Sequence, residues 1–574
     1  MIKRVAFLIL LFSVSITFPD AAQATQSKAD FDKLVDDFFA VYFQYHPTQG
    51  TAAGFHQYDP RLEDFSRAGI DAETAALTKM QSQLESFDKS KLSEGDAADL
   101  QILQDTIRTR FLEFRDIRMW RKDPDQYTTG ATYAVFLIMK RNFAPQEERL
   151  RSVIARERQI PKVFEAARQN LESPPKVYTE VAVQQLPGVI GFFKEDVPKA
   201  FREVKDRKVL SDFKKTNDAV IEALGKYLAF LQKRVLPASK GDFRIGAENY
   251  QNKLLYEEMV DVPIDRLLEI GYADLHKNQA TLKEVAAKID PRHTPRQVLS
   301  ELEKDHPPAD QLLQSFRNIL VDIRRYIEAK KIITIPSPVP PLVEDTPPFA
   351  RALTTASMDT PGAYEEKADE GMFNVTTADP AWKPERIEEW MQGFNRGTIV
   401  STAVHEVYPG HYTQFLWVKQ APSKVRKLLY CSTNAEGWAH YGEQMMLDEG
   451  YGNGDPKLRM GQLQDALLRD ARFIVGIEMH TGNMTLEQAD KFFVEQGYQT
   501  APVADVESKR GTSDPTYLVY TVGKLQIMKL REDYRRQAGD KFTLQDFHDK
   551  FMLQGAVPLK IIRKAMLGND SPTL

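Results

Sequence analysis

The sequence contains a single cysteine, Cys431, among its 574 residues. One thiol excludes a disulfide within the chain, so the stability of the protein must come from a large hydrophobic core. An excess of charge of one sign is also absent, because the formal net charge is only -5 and the charges are interspersed. The composition therefore gives no reason to expect nucleic acid or an anionic membrane as a partner.

Long apolar runs are missing as well, except at the amino end. Lys3 and Arg4 precede the apolar run Val5–Ile16, and an Ala-Gln-Ala sequence ends at Ala24. The run is shorter than the roughly 20 apolar residues that span a bilayer, and the pattern is typical of a secretory signal peptide. We predict that residues 1–24 are a signal peptide, and an uncleaved anchor is the alternative. No cysteine follows the run, so lipid anchoring is not indicated. The expected location is the periplasm or the outside of the cell, with no membrane insertion after cleavage.

The mature chain divides into two regions by composition. From Lys28 to about Lys331, apolar residues recur at three- and four-residue spacing, which predicts helices throughout. A proline-rich, β-branched stretch begins at Ile333 and cannot be continuous helix. Within and after it we predict a small sheet of two or three strands, from Ala350–Ser357 and Gly371–Thr376, before helix returns near Arg386.

These patterns predict the fold class and the domain organisation. We expect a mainly α protein, a large helical bundle or clamshell with a deep cleft, and a small β-sheet beside the helix that carries the active site. The predicted domains are an amino-terminal helical region (25–332) and a catalytic region (333–574), joined in one continuous helical fold around the cleft.

The stretch Thr402–Tyr412, TAVHEVYPGHY, places two histidines around a glutamate. A metallopeptidase helix usually reads HExxH, with the histidines four residues apart on one face. Here His405 and His411 are six apart, and a regular helix would turn the second imidazole roughly 120° away from the first. Pro409 and Gly410 lie between them and could deform the helix. We predict a bulge that brings His411 back beside His405.

A second acidic segment, NAEGWAHYGEQMMLDEG, follows about 25 residues later and completes a ligand set. Catalytic zinc takes three protein ligands of N or O type and keeps a position for water. His405, His411 and Glu436 would supply that set for Zn²⁺. Glu406 is expected to act as general base on the metal-bound water. If the segment is helical, two further residues share a face with Glu436 and are expected to orient a ligand imidazole: His440 and Glu443.

HEVYPGH followed by AEGWAHYGEQM resembles a bacterial family known as domain of unknown function 885, whose motif approximates HExYPGHHxQ and then EGWAxYxE. The resemblance extends to GAENYQNKL, RDARFIVGIEMHTGNMTLEQA and YLVYTVGKLQIMKLR, and so covers nearly the whole mature chain. Tyr412 stands where many members carry a further histidine. The family is similar to the gluzincin metallopeptidases, including helical angiotensin-converting and carboxypeptidase-like enzymes. The resemblance implies zinc, a long cleft and peptide hydrolysis.

Further residues could complete such a site. Donors aimed at a developing oxyanion lower the barrier to amide hydrolysis. By similarity to the helical gluzincins, His480 and Tyr520 are candidates, with Tyr517 as the competing tyrosine. The other reading makes His480 a cap of its own helix and Tyr520 part of the core. Three more residues are candidates for substrate binding. Arg510 and Lys524 could bind a carboxylate of the substrate, and Asn374 could face an extended peptide bound along the sheet.

The leading hypothesis is a periplasmic or secreted zinc peptidase acting on peptides or other small amides. Two alternatives stay open. One is zinc-dependent hydrolysis of a non-protein amide or ester, such as a cell-wall fragment. The other is a helical binding protein with a structural metal site, in which His440 or Glu443 would supply a fourth ligand. The sequence does not distinguish endopeptidase from exopeptidase action, and it leaves the oligomeric state and any hinge motion open.

Overall fold

The structure is a computed structural model that describes residues 28–347, 351 and 354–574. The predicted signal peptide lies outside the described residues. The amino-terminal region is helical, as predicted. Its helices are α1 (Lys28–Tyr45), α2 (Pro47–Ala53), α3 (Arg67–Glu85), α4 (Glu94–Leu112), α5 (Met119–Lys122), α6 (Asp125–Lys140), α7 (Gln146–Glu157), α8 (Ile160–Asn170), α9 (Lys176–Gly191), α10 (Val197–Ala200), α11 (Arg207–Phe230), α12 (Ala247–Glu258), α13 (Ile264–Ile289), α14 (Pro295–Leu302) and α15 (Leu312–Lys330).

The first helix illustrates why these segments fold as they do. Along α1 the apolar residues recur every three or four positions, so that they form one stripe on a helical surface. That stripe is buried in the core: Phe31, Leu34, Val35, Phe38, Phe39 and Phe43. Several other helices begin at residues whose side chains accept a backbone N–H, as Ser66 does from Gly69.

A three-stranded sheet follows α15, which confirms the predicted sheet in outline. Its strands are β1 (Leu342–Asp345), β2 (Ala356–Asp359) and β3 (Met372–Val375), in the order β1-β3-β2. β1 is parallel to β3 and was not predicted, whereas β2 is antiparallel to β3. The strand expected from Ala350 begins later, at Ala356, and Ala350 itself lies outside the described residues.

The carboxyl-terminal region returns to helix two residues earlier than expected, at Pro384. Its helices are α16 (Pro384–Gln392), α17 (Arg396–Glu406), α18 (His411–Val418), α19 (Lys424–Leu428), α20 (Ser432–Asp448), α21 (Pro456–Thr481), α22 (Leu486–Glu495), α23 (Ala501–Ser513), α24 (Val519–Ala538), α25 (Leu544–Met552) and α26 (Leu559–Leu567).

The largest hydrophobic core is shared by both regions. It joins α1, α3, α4 and α15 to the sheet and to α17, α20 and α24–α26. A second core lies almost entirely within α6–α11. The boundary at residue 332 in the sequence is therefore not a boundary between two independent cores.

The proline-rich segment 332–341 is held along its length by side chains of neighbouring helices. Arg324 donates to the carbonyl oxygens of Ser337 and Pro338 at 3.2 and 3.1 Å. From α18, Tyr412 donates to the carbonyl of Val339 at 2.7 Å, and Trp417 donates to that of Thr334 at 2.9 Å. The segment is thus extended chain packed on the helical body. No helix among the described residues is long and apolar enough to cross a membrane.

Candidate metal centre

The HEVYPGH motif forms the junction of two helices. α17 begins at Arg396, capped by Asn395, whose side chain accepts the N–H of Thr398. It ends at Glu406, and α18 begins at His411. The predicted bulge inside one continuous helix is therefore wrong, because the helix stops between the histidines and restarts. After the end of α17, the backbone N–H of Tyr408 donates a hydrogen bond to the carbonyl of Ala403 at 3.2 Å.

Gly410 makes this tight junction possible. Its N–H donates to the carbonyl of Val404 at 3.0 Å, so the chain folds back onto the last turn of α17. A β-carbon at position 410 would clash with the backbone of His405 and Val404. Pro409 has no N–H to place in this turn. The Pro-Gly pair thus brings His411 back beside His405 through a turn between two helices, and not through a bulge within one helix.

His405, His411 and Glu436 converge, as the sequence predicts. One ligand atom from each lies within 4.8 Å of the others. The Oε2 atom of Glu436 is 3.4 Å from Nε2 of His405 and 3.5 Å from Nε2 of His411. The two imidazole rings are nearly perpendicular, with centroids 4.8 Å apart. Oε2 of Glu436 is buried and has no hydrogen-bond partner among the described residues, as expected of an atom that completes its bonding with a cation.

Glu443, one of the predicted orienting residues, holds the first histidine. Its Oε1 atom lies 2.6 Å from Nδ1 of His405 and 2.9 Å from Nη2 of Arg469. A carboxylate on Nδ1 fixes the proton there and leaves Nε2 free to face the cluster. Burial would raise the pKa of Glu443, but Arg469, His440 and His405 outweigh it and hold that pKa well below its usual range.

His440 lies behind Glu443, away from the ligand atoms. Its Nδ1 is 3.1 Å from Oε2 of Glu443, and the ring is fully buried. Burial and the nearby Lys524 lower the pKa of His440 to about 3, so this imidazole is neutral. Among the described residues the cluster comprises His405, His411 and Glu436 and no fourth side chain. The side chain of Glu436 is 28% exposed as a whole, although its Oε2 atom is buried.

Glu406 lies beside the cluster and next to the sheet. Burial raises the pKa of its carboxyl group, while His405, His411 and a hydrogen bond from the backbone of Met358 in β2 act in the opposite direction. A carboxylate that is partly desolvated is a better proton acceptor than one in water. Its position follows directly from its place at the end of α17, one residue after a ligand.

Tyr520 is the tyrosine that reaches the cluster. Its ring stacks on His405 with centroids 6.4 Å apart, and its hydroxyl accepts a hydrogen bond from Arg510 at 3.3 Å. Arg510 in turn pairs with Asp514 at 3.1 Å. The competing Tyr517 belongs to the same buried apolar cluster as Tyr520, where its ring packs against Gly476 and Gly511. The structure therefore brings Tyr520 and Arg510 together beside the histidines.

Three predicted residues lie elsewhere. His480 follows Arg469 by eleven residues on α21, about 16 Å along the axis, and its Nε2 bonds the carbonyl of Gly511 at 2.8 Å. Lys524 is buried and paired with Asp274 at 2.8 Å, so it is not presented to a substrate. Asn374 is buried and accepts a hydrogen bond from Lys140. It belongs to the central strand β3, which has no free edge for a peptide.

Sequence reasoning missed two arginines of this site. Arg469 pairs with Glu443, and its Nη2 lies 3.3 Å from Nδ1 of His405. Arg472 forms a two-point pair with Glu507, with both distances 2.7 Å, and lies over the ring of Tyr520. Both belong to RDARFIVGIEMH, the segment from which His480 was chosen. Their spacing of three residues on one helix face was the available signal.

Fold and cluster together define a mainly helical protein with a candidate metal centre of two histidines and one glutamate. The chain belongs to the family described as bacterial protein of unknown function (DUF885), whose model matches residues 47–566. No curated protein matches the sequence.

Two solved structures have the same fold along nearly the whole chain. A protein of unknown function from Shewanella oneidensis, named as a candidate lipoprotein, is 28% identical with a TM-score of 0.78, and the match covers 94% of this chain and 99% of that one. A candidate lipoprotein from Colwellia psychrerythraea is 18% identical with a TM-score of 0.80, at the same coverage of 94% and 99%. The second likeness concerns the fold alone.

Proposed function

We propose that this protein is an exported, zinc-dependent hydrolase that cleaves peptide bonds. The observation that carries the proposal is the convergence of His405, His411 and Glu436, with Glu406 beside them. Two imidazoles and a carboxylate are a ligand set typical of catalytic zinc. When bound there, zinc would polarise a carbonyl oxygen and lower the pKa of water.

The residues around the cluster have complementary tasks in such a reaction. Glu406 accepts the proton of the attacking water and passes it to the leaving amine. Tyr520, held by Arg510, donates a hydrogen bond to the oxygen that becomes negative in the transition state. Glu443 and Arg469 keep His405 in one orientation throughout.

The number of protein ligands supports a catalytic over a structural role for the metal, because the cluster has three among the described residues. A structural zinc site is closed by four protein ligands. Here Glu443 already bonds His405 and Arg469, and His440 lies behind it. The gluzincin likeness of the HEVYPGH and EGWAHYGEQ motifs favours a peptide over another amide or ester.

The amino-terminal sequence supports export. Lys3 and Arg4, the apolar run that follows and the Ala-Gln-Ala sequence ending at Ala24 form a secretory signal. The two solved relatives named as candidate lipoproteins agree with a location outside the cytoplasm.

The test compares wild type with Glu406→Gln in zinc content and in hydrolysis of a mixed peptide library. Because the amide of a glutamine side chain cannot accept the proton of the attacking water, we expect hydrolysis to fall by roughly 10²–10⁴-fold, with zinc content unchanged. Glu385→Gln, on the exposed first turn of α16, is the matched control and keeps full activity. Undiminished hydrolysis by Glu406→Gln would refute the proposed mechanism.

A further inference from the structure

A cavity of about 460 Å³ lies between the two regions of the chain. Its wall combines residues of α1, α2 and α4 with the loop after β2 and the residues that precede α20. Its volume is within the range of small-molecule sites, roughly 300–1,000 Å³. None of the ligand residues, nor Glu406, is part of its wall.

The cavity nevertheless adjoins the candidate metal centre at two points. Phe415, a wall residue, packs against His411 with ring centroids 6.1 Å apart. Ser432, also in the wall, begins α20, and Glu436 follows one turn later, about 6 Å along the axis. A group bound in the cavity would therefore be a direct neighbour of a group bound at the cluster.

The wall offers aromatic and aliphatic surface. Five aromatic side chains contribute to it, and one of them, Tyr430, is 68% exposed. An exposed aromatic ring at the side of a cavity is available to stack on a ligand. The five are Tyr42, Phe43, Tyr256, Phe415 and Tyr430.

The acidic residues of the wall already have partners within the protein. Glu258 accepts the backbone N–H of Thr433 at 2.7 Å at the start of α20. Glu257 is paired with Lys253 at 2.5 Å, and Asp105 with Arg108 at 2.8 Å. These carboxylates therefore do not need a cationic ligand to neutralise them, and the aromatic and aliphatic part of the wall suits a neutral apolar group.

We infer that this cavity is the pocket that receives a bulky apolar side chain of the substrate, aromatic or large aliphatic, next to the bond that is hydrolysed. The inference rests on the proposed function and names its substrate class. Transfer of such a side chain from water into the pocket makes peptides with phenylalanine or leucine beside the cleaved bond better substrates than alanine peptides. The expected preference is on the order of 10–100-fold in kcat/KM.

The first experiment fills the pocket. Thr106 is half-buried in the wall and its hydroxyl donates to the carbonyl of Ile102 at 2.8 Å. Thr106→Trp is expected to abolish the preference for phenylalanine over alanine peptides. Thr78→Trp is the matched control, because Thr78 is an exposed helical threonine whose hydroxyl donates to Thr74 at the same 2.8 Å. A preference unchanged by Thr106→Trp overturns the inference.

A second variant tests the pocket independently of whether Thr106→Trp folds. Tyr430 is exposed, so Tyr430→Ala removes aromatic wall without opening the core. It is expected to reduce the preference for phenylalanine peptides through KM, and Tyr430→Leu restores part of it. An equal loss of kcat on alanine and phenylalanine peptides would instead assign Tyr430 to the reaction itself and overturn its role in the pocket.

A binding measurement separates this inference from the proposed function. With metal removed by chelation, saturation-transfer NMR compares N-acetyl-phenylalanine amide with N-acetyl-alanine amide on the wild type. We expect transfer to the phenylalanine compound only, lost in Thr106→Trp and kept in Thr78→Trp. If no peptide is hydrolysed but this pattern appears, the proposed function fails and the pocket stands. If peptides are hydrolysed but saturation transfer does not distinguish the phenylalanine compound from the alanine compound, the pocket assignment fails.

Discussion

Gly410 controls how closely the two histidines approach. The chain folds back so tightly that a β-carbon at this position would clash with the carbonyl groups of His405 and Val404. We predict that Gly410→Ala lowers the free energy of unfolding by about 1–3 kcal/mol, because backbone must shift to make room. Urea denaturation measures this change.

A matched glycine provides the control for that variant. Gly225 lies exposed within α11, and the β-carbon it would gain meets no described atom within 4 Å. Gly225→Ala is expected to raise the free energy of unfolding by about 0.4–1 kcal/mol, since alanine restricts the unfolded chain. If both variants changed stability alike, the clash at Gly410 would not be the cause.

Glu443 fixes the tautomer of His405 without belonging to the cluster itself. We predict that Glu443→Gln weakens zinc binding by roughly 10–100-fold, the usual cost of losing such an orienting carboxylate. Competition with a coloured chelator measures the affinity. Glu449→Gln, at the exposed end of α20, should bind zinc as wild type does. Equal affinities for Glu443→Gln and wild type would show that Glu443 does not orient the ligand.

At the scale of helices, glycines set the distance between the elements that carry the site. Gly437 of α20 faces Gly523 of α24, and a β-carbon on either would meet the backbone of the other helix. α20 carries Glu436 and α24 carries Tyr520. Gly397 of α17 and Gly461 of α21 meet in the same way. The site is thus assembled from helices that approach more closely than larger side chains would permit.

This arrangement predicts the effect of Gly523→Ala. The added methyl group would press on the carbonyl of Thr433 and push α24 away from α20. We expect the variant to lose about 1–3 kcal/mol of stability and to lose hydrolysis as Tyr520 moves from His405. Gly191→Ala, in α9 with open space around its β-carbon, is the control. Activity at the wild-type level in folded Gly523→Ala would argue against a role for this spacing.

Periodicity predicted the helices well because each buries a stripe of apolar residues that is visible locally, as in α1. Local residues also indicated that His405 and His411 converge, since Pro409 and Gly410 stand between them. The path of the chain between the two histidines depends on the hydrogen bonds that Tyr408 and Gly410 donate to the carbonyl groups of Ala403 and Val404. The sequence does not specify those bonds. The positions of His480 and Lys524 depended on packing against Gly511 and Asp274, which are distant in sequence or on other elements. Such partners leave no local pattern.

At the scale of the whole molecule, His56 links the amino-terminal helices to the segment before β3. Its ring lies 3.0 Å from carboxylate oxygens of both Asp59 and Glu365. Burial alone would lower the pKa of His56, but these two hydrogen bonds outweigh it and raise the pKa to about 9. The same contact, together with the backbone N–H groups of Lys367 and Ala368, lowers the pKa of Glu365 to about 2, against the effect of burial.

The pH dependence of stability follows from these shifts. Because the pKa of His56 is raised from 6.5 to about 9, its stabilising contribution is complete below 6.5 and is lost as the pH rises through 9. The stabilising contribution of Glu365 is complete above pH 4.5 and is lost as the pH falls toward 2. We expect urea midpoints to fall between about pH 6.5 and 9 more steeply in wild type than in His56→Gln. If the urea midpoints of wild type and His56→Gln fell equally with rising pH, His56 would not be the cause of this pH dependence.

The anchored proline-rich segment has a consequence for how the protein can be divided. A stretch rich in proline between two helical regions is where a protease is expected to cut a linker. Here Arg324, Tyr412 and Trp417 bond its carbonyl groups, and the main core unites helices from both sides of it. Neither half contains the whole of this main core, although the second core lies almost entirely within α6–α11. We therefore expect a fragment that ends at this segment to expose apolar surface of the main core, which forms only when both halves are present.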